Sequence, residues 1–247
     1  MKRWPWLGDV AAIERRRAHL WRLLGPHPAF AMPPTGTRIS TRETAHAHVE
    51  NWILAVNGEE PVPTLLLRPL NQAPRGLVLY CHAHGNRFEV GKDELLLGRQ
   101  ALQNPPYGEV LTRLGFAVLA IDHWCFGERN FGGAKSERAI AKRLLWEGKT
   151  LCGYRVHDTL ASLAWARMQP NLADLPVRFC AALTESLDGG AIGFLPLKGN
   201  IEKLILSSYF GGKRIFHQSY SLDKPDVDYK KIGPQAPYLK GFPPKVI

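Results

Sequence analysis

Apolar positions fall along this chain in two rhythms, one near 3.6 residues and one that is almost continuous over five or six. Over residues 9–24, Val10, Ile13, Leu20, Leu23 and Leu24 recur at helical spacing, which predicts an amphipathic helix with a basic face, stopped by Gly25-Pro26. The segment to about residue 47 is rich in Pro and Thr and reads as irregular cover. The runs Val49–Val56 and Pro63–Arg68 flank Asn57-Gly58, a hairpin signal whose loop is lengthened by Glu59 to Val62. Leu77-Val-Leu-Tyr-Cys81 then opens after Pro74-Arg75-Gly76 and breaks at His82-Ala-His-Gly-Asn86. A run that apolar, so short and so sharply bounded, predicts a strand buried on both faces, as in a parallel sheet.

Beyond it, Lys92 to Leu97 begins a short helix, and Tyr107–Gly115 reads as the end of another, capped by Gly115. Phe116–Ile121 is a second buried strand, ending at the polar edge Asp122–Gly127. Residues 128–150 are charged and mixed, a flap over that edge. Tyr154–Met168 carries Val156, Leu160, Leu163, Ala164 and Met168 at helical spacing and ends at Gln169-Pro170. Val177–Leu183 and Lys203–Ser208 are further strands. Strands alternating with helices at these spacings predict βαβ units. The strands 77–81 and 116–121 should therefore lie side by side, with their polar tips on one edge, where open α/β sheets bind ligands.

Composition narrows the picture modestly. At 247 residues and 45% apolar content the chain suits one α/β domain. It has no apolar run of about 18 residues to span a membrane. Met1-Lys-Arg-Trp-Pro-Trp6 lacks the apolar core of a secretory signal, so a cytoplasmic location is expected. Cys81, Cys125, Cys152 and Cys180 are scattered, as suits reduced thiols rather than a disulfide frame or zinc site, and Cys81 should be buried in its strand. The net charge of +10 comes without a nucleic-acid-binding motif, so solvated lysines and arginines explain it.

The pieces Leu79-Tyr-Cys-His-Ala-His-Gly-Asn86, Gly115-Phe-Ala-Val-Leu-Ala-Ile-Asp122 with Gly127, and Gly153 to Pro170 with Asp158 together resemble the α/β-hydrolase superfamily, in its dienelactone-hydrolase and acetyl-xylan-esterase-like branch. The resemblance covers about residues 50–176. It implies an α/β, doubly wound, mostly parallel sheet with an N-terminal helix and an antiparallel hairpin. The chain is then one domain, with residues 1–47 as helical cover and 179–247 as an atypical C-terminal segment. The resemblance also implies hydrolysis of carboxylic esters or lactones by a serine nucleophile through an acyl-enzyme, with no cofactor and no metal. The expected partner is a small-molecule ester, with no nucleic acid, no membrane, and a homodimer as a possible assembly. In the loop after the first buried strand, Gly85 and Asn86 would lend a backbone N–H to an oxyanion hole, and His84 would shape the loop. Asp122 would fix the turn after its own strand.

The nucleophile should follow Val177–Leu183 on a Gly-x-Ser-x-Gly elbow. Ser186 stands in that place, with the N–H of Leu187 as second oxyanion donor, but Thr184 and Asp188 occupy both glycine positions. His217 is the histidine after Ser186, and Glu202 lies between them as candidate acid, although it precedes the strand Lys203–Ser208. The 39 residues after Ser208 show no clear pair of strands with an intervening helix, where the family keeps its acid and histidine. Two rival readings follow. One is an impaired or non-catalytic hydrolase-like protein with a replaced C-terminus. The other is a thiol hydrolase using Cys125 near His82, His84 or His123. Arg129, Arg138 and Arg143 are candidates to meet an anionic substrate, with solvated charge as the ordinary explanation. Residues 1–178 hold 18 Arg and 5 Lys, whereas 179–247 hold 1 Arg and 8 Lys, which suggests that the last quarter has a different origin.

Overall fold

The computed structural model describes residues 10–26, 33–99, 105–183, 201–210 and 213–221. Among these residues eight strands form one sheet: β1 Thr35–Glu43, β2 Ala47–Ala55, β3 Val62–Pro69, β4 Leu77–Cys81, β5 Ala117–Ile121, β6 Val177–Leu183, β7 Ile201–Phe210 and β8 Lys213–Ser221. Their order is β1-β2-β3-β5-β4-β6-β7-β8. The ladders joining β5, β4, β6 and β7 are parallel, whereas β1 to β2, β2 to β3, β3 to β5 and β7 to β8 are antiparallel. The parallel character is thus confined to the four central strands.

β4 lies in register between β5 (Leu77 opposite Ala117, Tyr80 opposite Ala120) and β6 (Tyr80 opposite Cys180). Its continuous apolar run follows from being covered twice. Val78 and Tyr80 pack with Leu95, Tyr107 and Leu111 from α2 (Glu94–Leu97) and α3 (Tyr107–Arg113). Leu77 and Leu79 pack on the other face with Leu163, Trp165 and Ala166 of α5 (Leu151–Ala166). Successive strand residues point to opposite faces, so both faces must be apolar once helices cover each of them. Each fully buried leucine here contributes roughly 1.5–3 kcal/mol relative to exposure.

The helix ends follow local rules. The Thr150 hydroxyl caps α5 by accepting the Gly153 N–H at 2.9 Å. α3 ends in a paired reversal, in which Gly115 (φ +80°) bonds back to Thr112 O and Phe116 to Leu111 O, at 2.9 and 3.0 Å. α1 (Val10–Leu24) is tied to α5 where the Thr150 hydroxyl donates to Leu24 O at 2.6 Å.

Several boundaries differ from the expectation. The segment read as irregular cover contains β1, an exposed edge strand whose side chains offer no apolar alternation. The flap at 128–150 is mostly helical, α4 (Gly133–Trp146). Cys81 is only half-buried, because it ends its strand. β7 begins at Ile201, so Glu202 lies inside it rather than before it. Among the described residues one antiparallel strand, β8, pairs with β7.

Candidate active site

The C-terminal ends of β4 and β5 lie side by side, and two loops leave that edge, residues 82–93 and 122–130. In the first, Gly85 and Asn86 both adopt left-handed conformations (φ +44° and +52°), and the Arg87 N–H closes the turn on His84 O at 3.1 Å. Two left-handed central residues are the mark of a type I′ turn, which glycine and asparagine tolerate best. His84 Nδ1 accepts the Asn86 N–H at 3.3 Å, so its Nε2–H donates outward to Glu137 on α4 at 3.1 Å. His84 thus braces the loop backbone, with both ring nitrogens engaged. Glu137 also accepts from Arg155 of α5 at 2.6 Å. Burial would raise the Glu137 carboxyl, but the hydrogen bonds from His84 and Arg155 prevail and hold it at about 2.

Behind the loop sits a fully buried carboxylate. Glu94 Oε1 accepts from the Tyr80 hydroxyl at 2.7 Å and from the Ala83 N–H at 2.9 Å, while Oε2 pairs with Arg99 Nε. Arg99 then donates Nη2 to Ala83 O at 2.8 Å and Nη1 to His84 O at 3.5 Å. Burial lifts the Glu94 carboxyl, opposed chiefly by Arg99.

The second loop hangs on Asp122, buried at 0% exposure, which accepts from the Lys92 N–H (2.7 Å), Lys92 Nζ (3.1 Å) and the Glu128 N–H (3.0 Å). It fixes the turn after its strand and also staples the two loops together. Burial raises the Asp122 carboxyl against the pull of Lys92. For Lys92 burial works the other way, and Asp122 and Glu128 outweigh it. Asp158 on α5 gathers Asn57 Nδ2 (2.9 Å), Trp124 Nε1 (2.8 Å) and Arg129 Nη1 (2.8 Å), while Arg129 Nε reaches Glu60 at 2.6 Å. Burial would raise Asp158, yet the hydrogen bond from the neighbouring His157 ring, then the Arg129 charge and Asn57, hold it below its ordinary value.

These contacts settle several candidates. Arg129 is buried in ion pairs with Glu60 and Asp158, Arg143 pairs with Glu147, and Arg138 donates to Ala134 O; the first is unavailable to a substrate. His82 Nε2 accepts the His123 N–H at 3.3 Å, so its Nδ1–H faces Ala83 O at 3.2 Å, and burial pushes the ring down to about 3. His123 is likewise lowered, again chiefly by burial. Cys125 packs in an apolar cluster with Trp124, Leu144, Leu151 and Tyr154, and burial pushes its thiol up. This buried, apolar setting argues against the thiol-hydrolase reading, since reactive cysteines sit in partly exposed, electropositive surroundings. Among the described residues no group of histidines, cysteines and carboxylates forms a metal site, and no helix is long and apolar enough to cross a membrane.

Ser186 and Leu187 lie outside the described residues. The backbone of β8 sets His217 opposite Ser207, which is itself opposite Ala182 of β6. His217 is thus level with the end of the strand that leads to Ser186. Glu202 follows Ile201, which pairs with Val177 at the far end of β6. Five residues of extended strand, about 16 Å, separate its backbone from that level. The sequence reading missed Glu94, Arg99, Glu137 and Arg155. One signal was available, since Glu94 is the charge that directly abuts the apolar Leu95-Leu-Leu97.

A central parallel sheet flanked by antiparallel strands, helices on both faces, and polar loops gathered at the carboxyl edge define the α/β-hydrolase class of fold. No family model matches the chain. It is 35% identical over 158 residues to the Bacillus subtilis (strain 168) protein named "Putative hydrolase YtaP", covering 64% of this chain and 52% of that one. The chain thus spans about half the length of the curated relative it matches. Its fold resembles that of a Bacteroides fragilis protein described as a "putative acetyl xylan esterase", with a TM-score of 0.51, 15% identity, and coverage of 70% of this chain and 53% of that one. A structure titled "Methylesterase BT1017" superposes with a TM-score of 0.49 at 17% identity, over 72% of this chain and 43% of that one.

Proposed function

We propose that the chain hydrolyses carboxylic esters through Ser186. Its hydroxyl oxygen would attack the ester carbonyl carbon while His217 takes the proton. The N–H groups of Gly85 and Leu187 would hold the tetrahedral oxyanion. Collapse would expel the alcohol, protonated by His217, and water would then cleave the acyl-enzyme by the same path. Asn86 is not assigned as a donor, because its N–H is given to His84. Glu202 is not assigned as the acid, and none is named in its place.

The observation that carries this reading is the pairing of β4 with β6, Cys81 opposite Ala181. It makes the His84-Gly85-Asn86 loop and the chain running on to Ser186 leave the same edge from neighbouring strands. The similarity to a protein named as a hydrolase adds support. The test is turnover of p-nitrophenyl acetate together with fluorophosphonate labelling. Ser186→Ala should abolish both, and unchanged turnover removes Ser186 from the mechanism.

A second reading, a hydrolase fold without a working triad, draws on the missing elbow glycines at Thr184 and Asp188 and on the direct return of β8 beside β7. Under it the unaltered protein would neither label nor turn over.

A further inference from the structure

The Gly85 N–H assigned above belongs to a peptide whose carbonyl is His84 O, so whatever holds that carbonyl also aims the N–H. In a trans peptide the two groups point in opposite directions. His84 O accepts from the Arg87 N–H at 3.1 Å and from Arg99 Nη1 at 3.5 Å. The preceding peptide is held more firmly, because Ala83 O accepts from Arg99 Nη2 at 2.8 Å. The other side of the same residue, Ala83 N–H, is held by Glu94 at 2.9 Å.

We infer that Glu94 and Arg99 form a buried clamp that positions the His84-Gly85-Asn86 loop, making both of them positioning residues for the oxyanion donor. This rests on the ester-hydrolase reading for its catalytic consequence, though not for its structural content. The device is local in sequence. Glu94 opens α2, and Gly98 (φ +66°) turns the chain after Leu97 so that Arg99 comes back against the carboxylate. Leu97, between them, is 76% exposed, whereas Glu94 is fully buried and the Arg99 side chain is 8% exposed. A planar guanidinium suits this place because it can pair with a carboxylate through one nitrogen and reach two successive carbonyls with the others. The ammonium of a lysine has no such fork. The loop it steadies carries two consecutive left-handed residues, one of them asparagine, so without outside support it would relax toward other conformations.

The test uses the full chain with Arg99→Met, Arg99→Lys and Glu94→Gln, each first checked for a native thermal transition. Amide exchange at Gly85 and Asn86 is measured by NMR alongside steady-state hydrolysis of p-nitrophenyl acetate and inhibition by a phenylboronic acid. Arg99→Met should speed exchange at both amides at least tenfold. It should lower kcat by about a hundredfold, as loss of one oxyanion donor does, with KM within twofold and boronate affinity falling in parallel with kcat. Arg99→Lys should recover part of both effects. Unchanged exchange in a folded Arg99→Met protein overturns the clamp whatever the activity. Faster exchange with kcat untouched overturns its catalytic role. If the unaltered protein neither labels nor hydrolyses, the ester-hydrolase reading fails, and the exchange measurement still decides the clamp.

Discussion

Two glycines with nearly the same backbone conformation offer a controlled measure of the Asp122 staple. Gly127 and Gly58 have φ of +56° and +71°, so an alanine at either place meets the left-handed penalty of about 1 kcal/mol. Their surroundings differ completely. A Cβ on Gly58 would meet nothing within 4 Å, whereas one on Gly127 would lie 2.1 Å from Asp122 Oδ1 and 2.4 Å from Oδ2. The backbone of the next residue is bonded to that same carboxylate, so Asp122 itself must move. Moving it loosens bonds from two backbone N–H groups and the Lys92 ammonium, around a carboxylate with no exposed surface. Hydrogen bonds to a charged group contribute about 1.5–3 kcal/mol each, so losing one or two adds roughly 3 kcal/mol to the backbone penalty. Gly58→Ala should therefore cost about 1 kcal/mol and Gly127→Ala about 4 kcal/mol. Equilibrium urea unfolding followed by tryptophan fluorescence, with the m-value compared between variants, gives both numbers. If the two cost the same, the carboxylate is not the rigid staple between loops described above.

Asp158→Ala removes the hub that Asn57, Trp124 and Arg129 share and leaves the buried Arg129 with Glu60 as its remaining carboxylate partner; about 3–5 kcal/mol of stability should be lost, and a melting temperature within a degree of the parent would refute the hub. Glu137 is held at about 2, below its ordinary 4.5, so it contributes stability that is present above pH 4.5 and lost as pH falls toward 2. Glu137→Gln should flatten that part of the stability profile, and parallel profiles for variant and parent would contradict the assignment. His82, pushed to about 3 by burial, should remain neutral and protonated on Nδ1 down to pH 5; a nitrogen-15 titration midpoint near 6.5 would show that it is solvated instead.

How much of this was legible in the sequence follows from what holds each element. The strands β4 and β5, the hairpin around Asn57 and helix α5 are decided by apolar side chains packed on two faces, and periodicity records that directly. β1 is decided otherwise. Thr35–Glu43 is nearly all exposed and is held by its ladder to β2, with Gly36 so tight against Leu54 and Trp165 that a Cβ would come within 2.7 Å of both. Such a strand leaves no apolar alternation to read. α4 buries only Leu144, so its helical spacing is lost among charges. β8 had a signal that went unread, the Gly211-Gly212 pair between two strand-forming runs. The long-range polar contacts were out of reach for a different reason. Asn57 and Asp158 are 101 positions apart and Glu60 and Arg129 are 69 apart, and no local pattern couples such residues.

The three carboxylates of the rim, Glu94, Asp122 and Asp158, are all at 0% exposure, and a stability argument alone would not put them there. Burying a charge costs several kcal/mol, and apolar side chains of similar volume often stabilise a core as well or better. What an apolar side chain cannot do is choose the direction of a peptide group. Each carboxylate accepts from a group that fixes a loop: Glu94 from Ala83 N–H, Asp122 from Lys92 and Glu128 N–H, Asp158 from the indole of Trp124. The residues held this way include left-handed ones of the rim, Gly85 and Asn86 beside Glu94 and Arg99, and Cys125 (φ +75°) next to Trp124. Non-glycine residues persist in such conformations only where their surroundings over-determine them. Buried charge and left-handed backbone therefore belong to one device, a carboxyl edge built for direction rather than for stability, and directed N–H groups are what a serine hydrolase would require of it.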